Sequence, residues 1–127
     1  MELVPATTDD LPEPPAGLSD RALIVWNDYL ADLAEDDLEP DPAEVVLLHD
    51  ACRSVTLADN LEAALDAAGG FTVAGARGTE RPHPLLLELD RARRTTATLL
   101  KALTASDKAS TQKAAAGRAG MASRWAR

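Results

Sequence analysis

Apolar residues at Leu23, Trp26, Leu30 and Leu33 recur at the three-and-four spacing of one helical face, with Asp28, Asp32, Glu35 and Asp36 opposite. Leu18-Ser19-Asp20 opens this first helix, Ser19 as N-cap and Asp20 in the first turn, and the helix fades before Pro40. Asp41-Pro42-Ala43-Glu44 starts a second: a cap, a proline at the first helical position and a Glu three residues after the cap. Its apolar positions are Val45, Leu48, Cys52 and Val55, then Leu57, Leu61 and Leu65. The stripe shifts near Thr56, and Gly69-Gly70 form the stop. This gives about 27 residues, roughly 40 Å of helix, which needs a partner along most of its face. His83-Pro84 opens a third helix, where Leu85, Leu89, Ala92, Thr96, Leu99 and Leu103 keep a nearly unbroken seven-residue repeat. Between the long helices, Phe71 to Pro82 mixes β-branched and aromatic residues with Gly75 and Gly78, predicting a short β-hairpin or ordered loop.

The expected architecture is all-α: a long antiparallel helical hairpin, a shorter N-terminal helix, and a loop or β-hairpin at 71–82. Residues 1–18 carry Pro5, Pro12, Pro14, Pro15 and Gly17 among acids and read as a flexible acidic arm. Residues 19–105 form the helical core and oligomerisation domain. Residues 106–127, rich in Ala, Ser and Lys, have no apolar stripe until Met121 and Trp125 and read as a basic, weakly ordered tail, partly helical when bound.

Composition sharpens this picture. The chain has 127 residues, 46% hydrophobic but only 3% aromatic, so its core is built from Ala, Leu and Val, which suit helices better than sheets. A lone cysteine, Cys52, excludes an internal disulfide, and two separated histidines with it do not supply a four-ligand zinc site. No metal or cofactor is expected. No apolar run approaches the ~20 residues of a membrane span. The acidic, Pro-rich start is unlike a signal peptide, which predicts a soluble cytosolic protein with no membrane partner.

Charge divides the chain. Residues 1–70 hold 17 acids and 2 bases, net −15, while residues 71–127 hold 11 bases and 4 acids, net +7. Such asymmetry points to nucleic-acid contact by the basic part or head-to-tail contact between copies. Arg77 and Arg81 lie in the predicted loop, and Arg91, Arg93 and Arg94 on the third helix. Arg91 and Arg94 share a face while Arg93 points away, so pairing with the acid-rich helices competes with DNA contact. Lys101, Lys108, Lys113, Arg118 and Arg124 carry the charge onward, and a basic tail binds phosphates by counterion release. Trp125 is a candidate to stack on a base or anchor in a partner's pocket.

The other motifs carry less chemistry. His49 and Cys52 share a helical face, but no oxyanion stabiliser or orienting group accompanies them, and a core thiol is the better reading. Glu35, Asp36, Asp37, Glu39 and Asp41 do not have EF-hand spacing and read as a solvated turn. Gly75-Ala76-Arg77-Gly78 matches neither a phosphate loop nor a dinucleotide fingerprint.

Taken in order, LSDRALIVWNDYLADL, then LLHDACRSVTLADNLEAAL, then GGFTVAGARGTERPHPLLLELDRARRTTATLLKAL resemble the phage terminase small subunit family, over about Leu18 to Ser106. The most specific stretch runs from Gly70 to Pro84. Where the family's pattern often closes with Leu-Gly-Leu-Thr-Pro, this chain has Leu103-Thr104-Ala105-Ser106. The resemblance implies a non-enzymatic packaging factor in the host cytoplasm. Such subunits form rings, engage double-stranded viral DNA, and work with a large subunit carrying ATPase and nuclease activities. The first helix contributes only Arg21 as a base, so the candidate DNA contacts are the arginines and lysines named above. Two other functions fit the same pattern: a helical adaptor or scaffold that binds only protein, and, more remotely, a small helical enzyme using His49 and Cys52.

Overall fold

The computed structural model describes the backbone of residues 11–125, and side chains for 11–75 and 77–106. Its elements follow in the order α1 (Asp20–Glu35), α2 (Pro42–Ala67), β1 (Thr72–Ala74), β2 (Glu80–Pro82) and α3 (Pro84–Trp125). Residues 11–18 precede α1 without helix or strand. The helical boundaries follow from local chemistry. Ser19 Oγ accepts the Ala22 N–H at 3.3 Å. Asp41 Oδ1 accepts the Glu44 N–H at 2.8 Å while Glu44 Oε1 accepts the Asp41 N–H at 3.1 Å, a reciprocal capping box with Pro42 at the first helical position. At the end of α2, Gly69 (φ 94) and Gly70 donate to the carbonyls of Asp66 and Leu65, the paired bonds of a Schellman stop. α1 ends in the same way with Asp37 (φ 55) in the glycine position.

α2 and α3 form an antiparallel hairpin, as Glu44 meeting Ser106 at one end and Ser54 meeting Ala92 and Thr96 further along require. α1 folds back along only the first two thirds of α2, from Tyr29 beside Glu44 to Ser19 beside Thr56 and Asp59. The core therefore has two parts. Under α1, Ala22, Trp26, Leu30, Leu48, Ala51, Cys52, Val55 and Leu103 are buried together. Beyond α1, only Ala58, Leu65, Leu89 and Ala92 are buried, between α2 and α3 alone. The seven-residue repeat of α3 faces inward throughout: Leu89, Ala92 and Leu103 are buried, and Leu85, Thr96 and Leu99 half-buried.

The shift in the α2 stripe near Thr56 has a physical cause. A polar band crosses the helix there and receives the start of α1. Thr56 Oγ1 accepts the Ser19 N–H at 3.0 Å, Ser19 Oγ donates to Asp59 at 2.6 Å, and Arg21 pairs with Asp59 at 2.9 Å. On the α3 side, Thr96 Oγ1 lies 2.8 Å from Ser54 Oγ, between the two halves of the core. Leu57, expected in the apolar stripe, falls outside it: its side chain is exposed, because α1 does not reach that side of α2.

The expected segment at 71–82 is a two-stranded antiparallel hairpin, with Thr72 opposite Pro82 and Ala74 opposite Glu80. The Gly75 N–H donates to the Thr79 carbonyl at 2.6 Å, and His83 N–H to Phe71 at 2.7 Å closes its base. Residues 76–78 make the tip, with Arg77 and Gly78 in left-handed conformation. The backbone of α3 continues as one helix from Pro84 to Trp125, past the apolar repeat that ends at Leu103, whereas the sequence pattern placed a separate tail at 106–127. Among the described residues no helix is long and apolar enough to cross a membrane.

Candidate nucleic-acid interface

The basic candidates occupy two structural settings. Arg91, Arg93 and Arg94 project from α3 and each meets an acid. Arg91 pairs with Glu88 at 3.3 Å and Arg94 with Asp90 at 3.0 Å along the helix, and Arg93 reaches Glu62 on α2 at 3.4 Å. Pairing with acids, on α3 itself and across to α2, thus competes with phosphate for these arginines. The three arginine side chains are 56–80% exposed, so the pairs are solvated and worth about 0.2–1 kcal/mol each. Phosphates can displace such partners at little cost, but the acids lower the net potential along this part of α3.

Arg77 and Arg81 belong to the β-hairpin. Both are exposed and, among the described residues, neither has an ion-pair partner. Lys101 is likewise exposed on α3 and has no ion-pair partner among the described residues. The hairpin geometry explains both glycines of the segment. A β-carbon at Gly75 would sit 2.6 Å from the Thr79 carbonyl oxygen, so the two strands close only over glycine. Gly78 (φ 74) follows Arg77 (φ 63, ψ 26), so two successive residues at the tip are left-handed, a conformation that glycine and asparagine adopt most readily. Asn is the usual non-glycine residue there; an arginine costs roughly 1–2 kcal/mol in that conformation. Lys108, Lys113, Arg118, Arg124 and Trp125 lie on the helical backbone of α3, and their side chains fall outside the described residues.

The remaining motifs resolve into structure. Cys52 is fully buried, its S–H donating to the Ala22 carbonyl at 3.4 Å, and burial pushes its thiol from 9.0 up to about 11. A thiol so held stays protonated at neutral pH and is a poor nucleophile. The acid cluster divides between turn roles, Asp37 ending α1 and Asp41 capping α2. No grouping of three or more metal-ligating side chains occurs among the described residues. His83 caps α3, its Nδ1 accepting the Leu85 N–H at 3.1 Å. A shallow groove of about 570 Å³ lies beside it, lined by Pro82, His83, Pro84, Leu86, Leu87 and Asp90.

One residue exceeds its expected role. Glu44 is 3% exposed, and besides completing the capping box its Oε2 accepts Tyr29 Oη–H at 2.8 Å and Ser106 Oγ–H at 3.2 Å. It ties all three helices together. The sequence shows only the box, because the other partners lie 15 and 62 positions away.

Compared with known proteins, the chain matches no family model, no curated protein and no solved structure.

Proposed function

We propose that this protein is a phage terminase small subunit: a non-catalytic DNA-packaging factor that binds double-stranded viral DNA as a cyclic homo-oligomer and recruits or regulates a large ATPase and nuclease subunit in the host cytoplasm. The observation that carries the reading is the segregation of charge. Residues 1–70 have net charge −15 and residues 71–127 net +7, and the described bases of the second half are exposed on the hairpin and α3. The protonated, buried Cys52 removes the best nucleophile and supports a non-enzymatic role. Heterologous contact between an acidic surface of one copy and a basic surface of the next closes rings when the rotation allows.

Light scattering after size exclusion at physiological salt tests the ring, and a gel shift with unrelated duplex DNA at low salt tests the nucleic acid. A discrete mass many times 13.4 kDa together with a salt-sensitive shift is expected. A monomer or dimer over a wide concentration range, with no shift, refutes the assignment. That result favours a helical protein-binding adaptor without DNA binding, a reading supported by the groove beside Leu87, whose side chain is exposed.

A further inference from the structure

We propose that the tip of the β1–β2 hairpin is the primary DNA contact of each subunit, with Arg77 at its apex and Arg81 behind it bound to backbone phosphates of the duplex. The inference rests on the DNA-binding reading above and selects among the basic residues. Its first support is pairing. Arg91, Arg93 and Arg94 each have an acid within 3.4 Å, whereas Arg77 and Arg81 have none among the described residues. An unneutralised cation brings its full charge to a phosphate, whereas the acid beside a paired one lowers the potential that the phosphate meets.

The second support is backbone conformation. Arg77 occupies a left-handed position (φ 63) that glycine or asparagine fills more cheaply, and its own neighbour Gly78 shows how readily the turn takes glycine. Local folding therefore does not call for arginine at the apex. Residues held in unfavourable conformations gather where the side chain is needed for binding. The Cδ of Arg81 would be 3.4 Å from a β-carbon at position 75, so its stem leans across the glycine toward the tip.

The third support is what the tip lacks. From Ala74 to Arg81 the sequence is Ala, Gly, Ala, Arg, Gly, Thr, Glu, Arg, with no large apolar side chain. Protein interfaces centre on buried aromatic and aliphatic anchors, and phosphate contact does not require them. An acidic protein surface is thus the less suited partner.

The test uses the full chain, a mixed-sequence 30-base-pair duplex, and the variants Arg77→Gly and Arg81→Gln. Each phosphate contact contributes a salt slope of about 0.9, equivalent to roughly five- to tenfold in affinity at 0.1 M salt. Arg77→Gly is expected to weaken binding by that factor and flatten the slope by about 0.9, while the melting temperature stays equal or rises. Arg81→Gln is expected to show a similar loss. If the wild type binds DNA and both variants match it in affinity and slope, the hairpin proposal is overturned while the DNA reading stands. A melting temperature that falls along with affinity in Arg77→Gly assigns the residue to folding and also overturns it. Unchanged DNA binding with a reduced oligomeric mass assigns the tip to contact between copies. If the wild type itself gives no shift, the DNA-binding reading fails first and the hairpin proposal with it.

Discussion

Replacing Tyr29 by Phe removes one hydroxyl and keeps the ring, which isolates what the buried Glu44 carboxylate contributes. Glu44 is 3% exposed, so water does not replace the lost donor. Its Oε2 would keep only the Ser106 hydroxyl, at the longer distance of 3.2 Å. Hydrogen bonds to charged groups contribute about 1.5–3 kcal/mol, and an oxygen left under-satisfied in the interior adds to the loss. At about 3–5 °C per kcal/mol for a chain of this size, the melting temperature falls by roughly 5–15 °C. Urea unfolding at fixed protein concentration, with equal slopes for both proteins, gives the free energy directly and controls for any self-association. Ser106→Ala alone is expected to cost less, and the double variant more than the sum, because the two hydroxyls share one oxygen. A Tyr29→Phe loss below about 0.5 kcal/mol, or strict additivity in the double variant, refutes the three-helix junction as described.

Cys52 offers a pH test. Its folded pKa, near 11, lies above the ordinary 9.0, so its contribution to stability is complete below pH 9 and is lost as pH rises toward 11. Alkylation of the native protein at pH 8 should be slow and become fast in urea; equal rates would mean the thiol is open. Gly75→Ala forces a β-carbon to 2.6 Å from a backbone carbonyl, and amide exchange at Val73 and Arg81 should report an opened hairpin while α1 protection is unchanged. Gly69→Ala meets no atom within 4 Å but keeps φ at 94, so about 1 kcal/mol of stability should be lost without local disruption.

Signals confined to a few neighbouring residues were readable from the sequence. The Ser19 cap, the Asp41-Pro42-Glu44 box, the Gly69-Gly70 stop, Pro84 as the start of α3 and the short hairpin at 71–82 each depend on chemistry within about five positions, and each is where that chemistry places it. What depends on distant partners was not readable. Nothing near Leu57 says that α1 packs on another side of α2, and nothing near Glu44 indicates Tyr29 and Ser106. The course of α3 beyond Leu103 has no apolar repeat to announce it, since an Ala-rich segment continues a helix without one. Among the candidate site residues, charge alone did not distinguish Arg93, which finds Glu62 across the helix pair, from Arg77, which has no acid beside it among the described residues.

The short reach of α1 also grades the molecule by how readily it opens. Near Glu44 and Ser106, three helices enclose Trp26 and eight residues are buried together, so amides there should exchange only in global unfolding. Toward Phe71 and Pro84, four buried residues between two helices resist opening far less. Arg77 and Arg81 are carried on this compliant end. The hairpin is thus expected to tilt more readily than the enclosed end, which keeps its packing: a compliant tip mounted on a firm base.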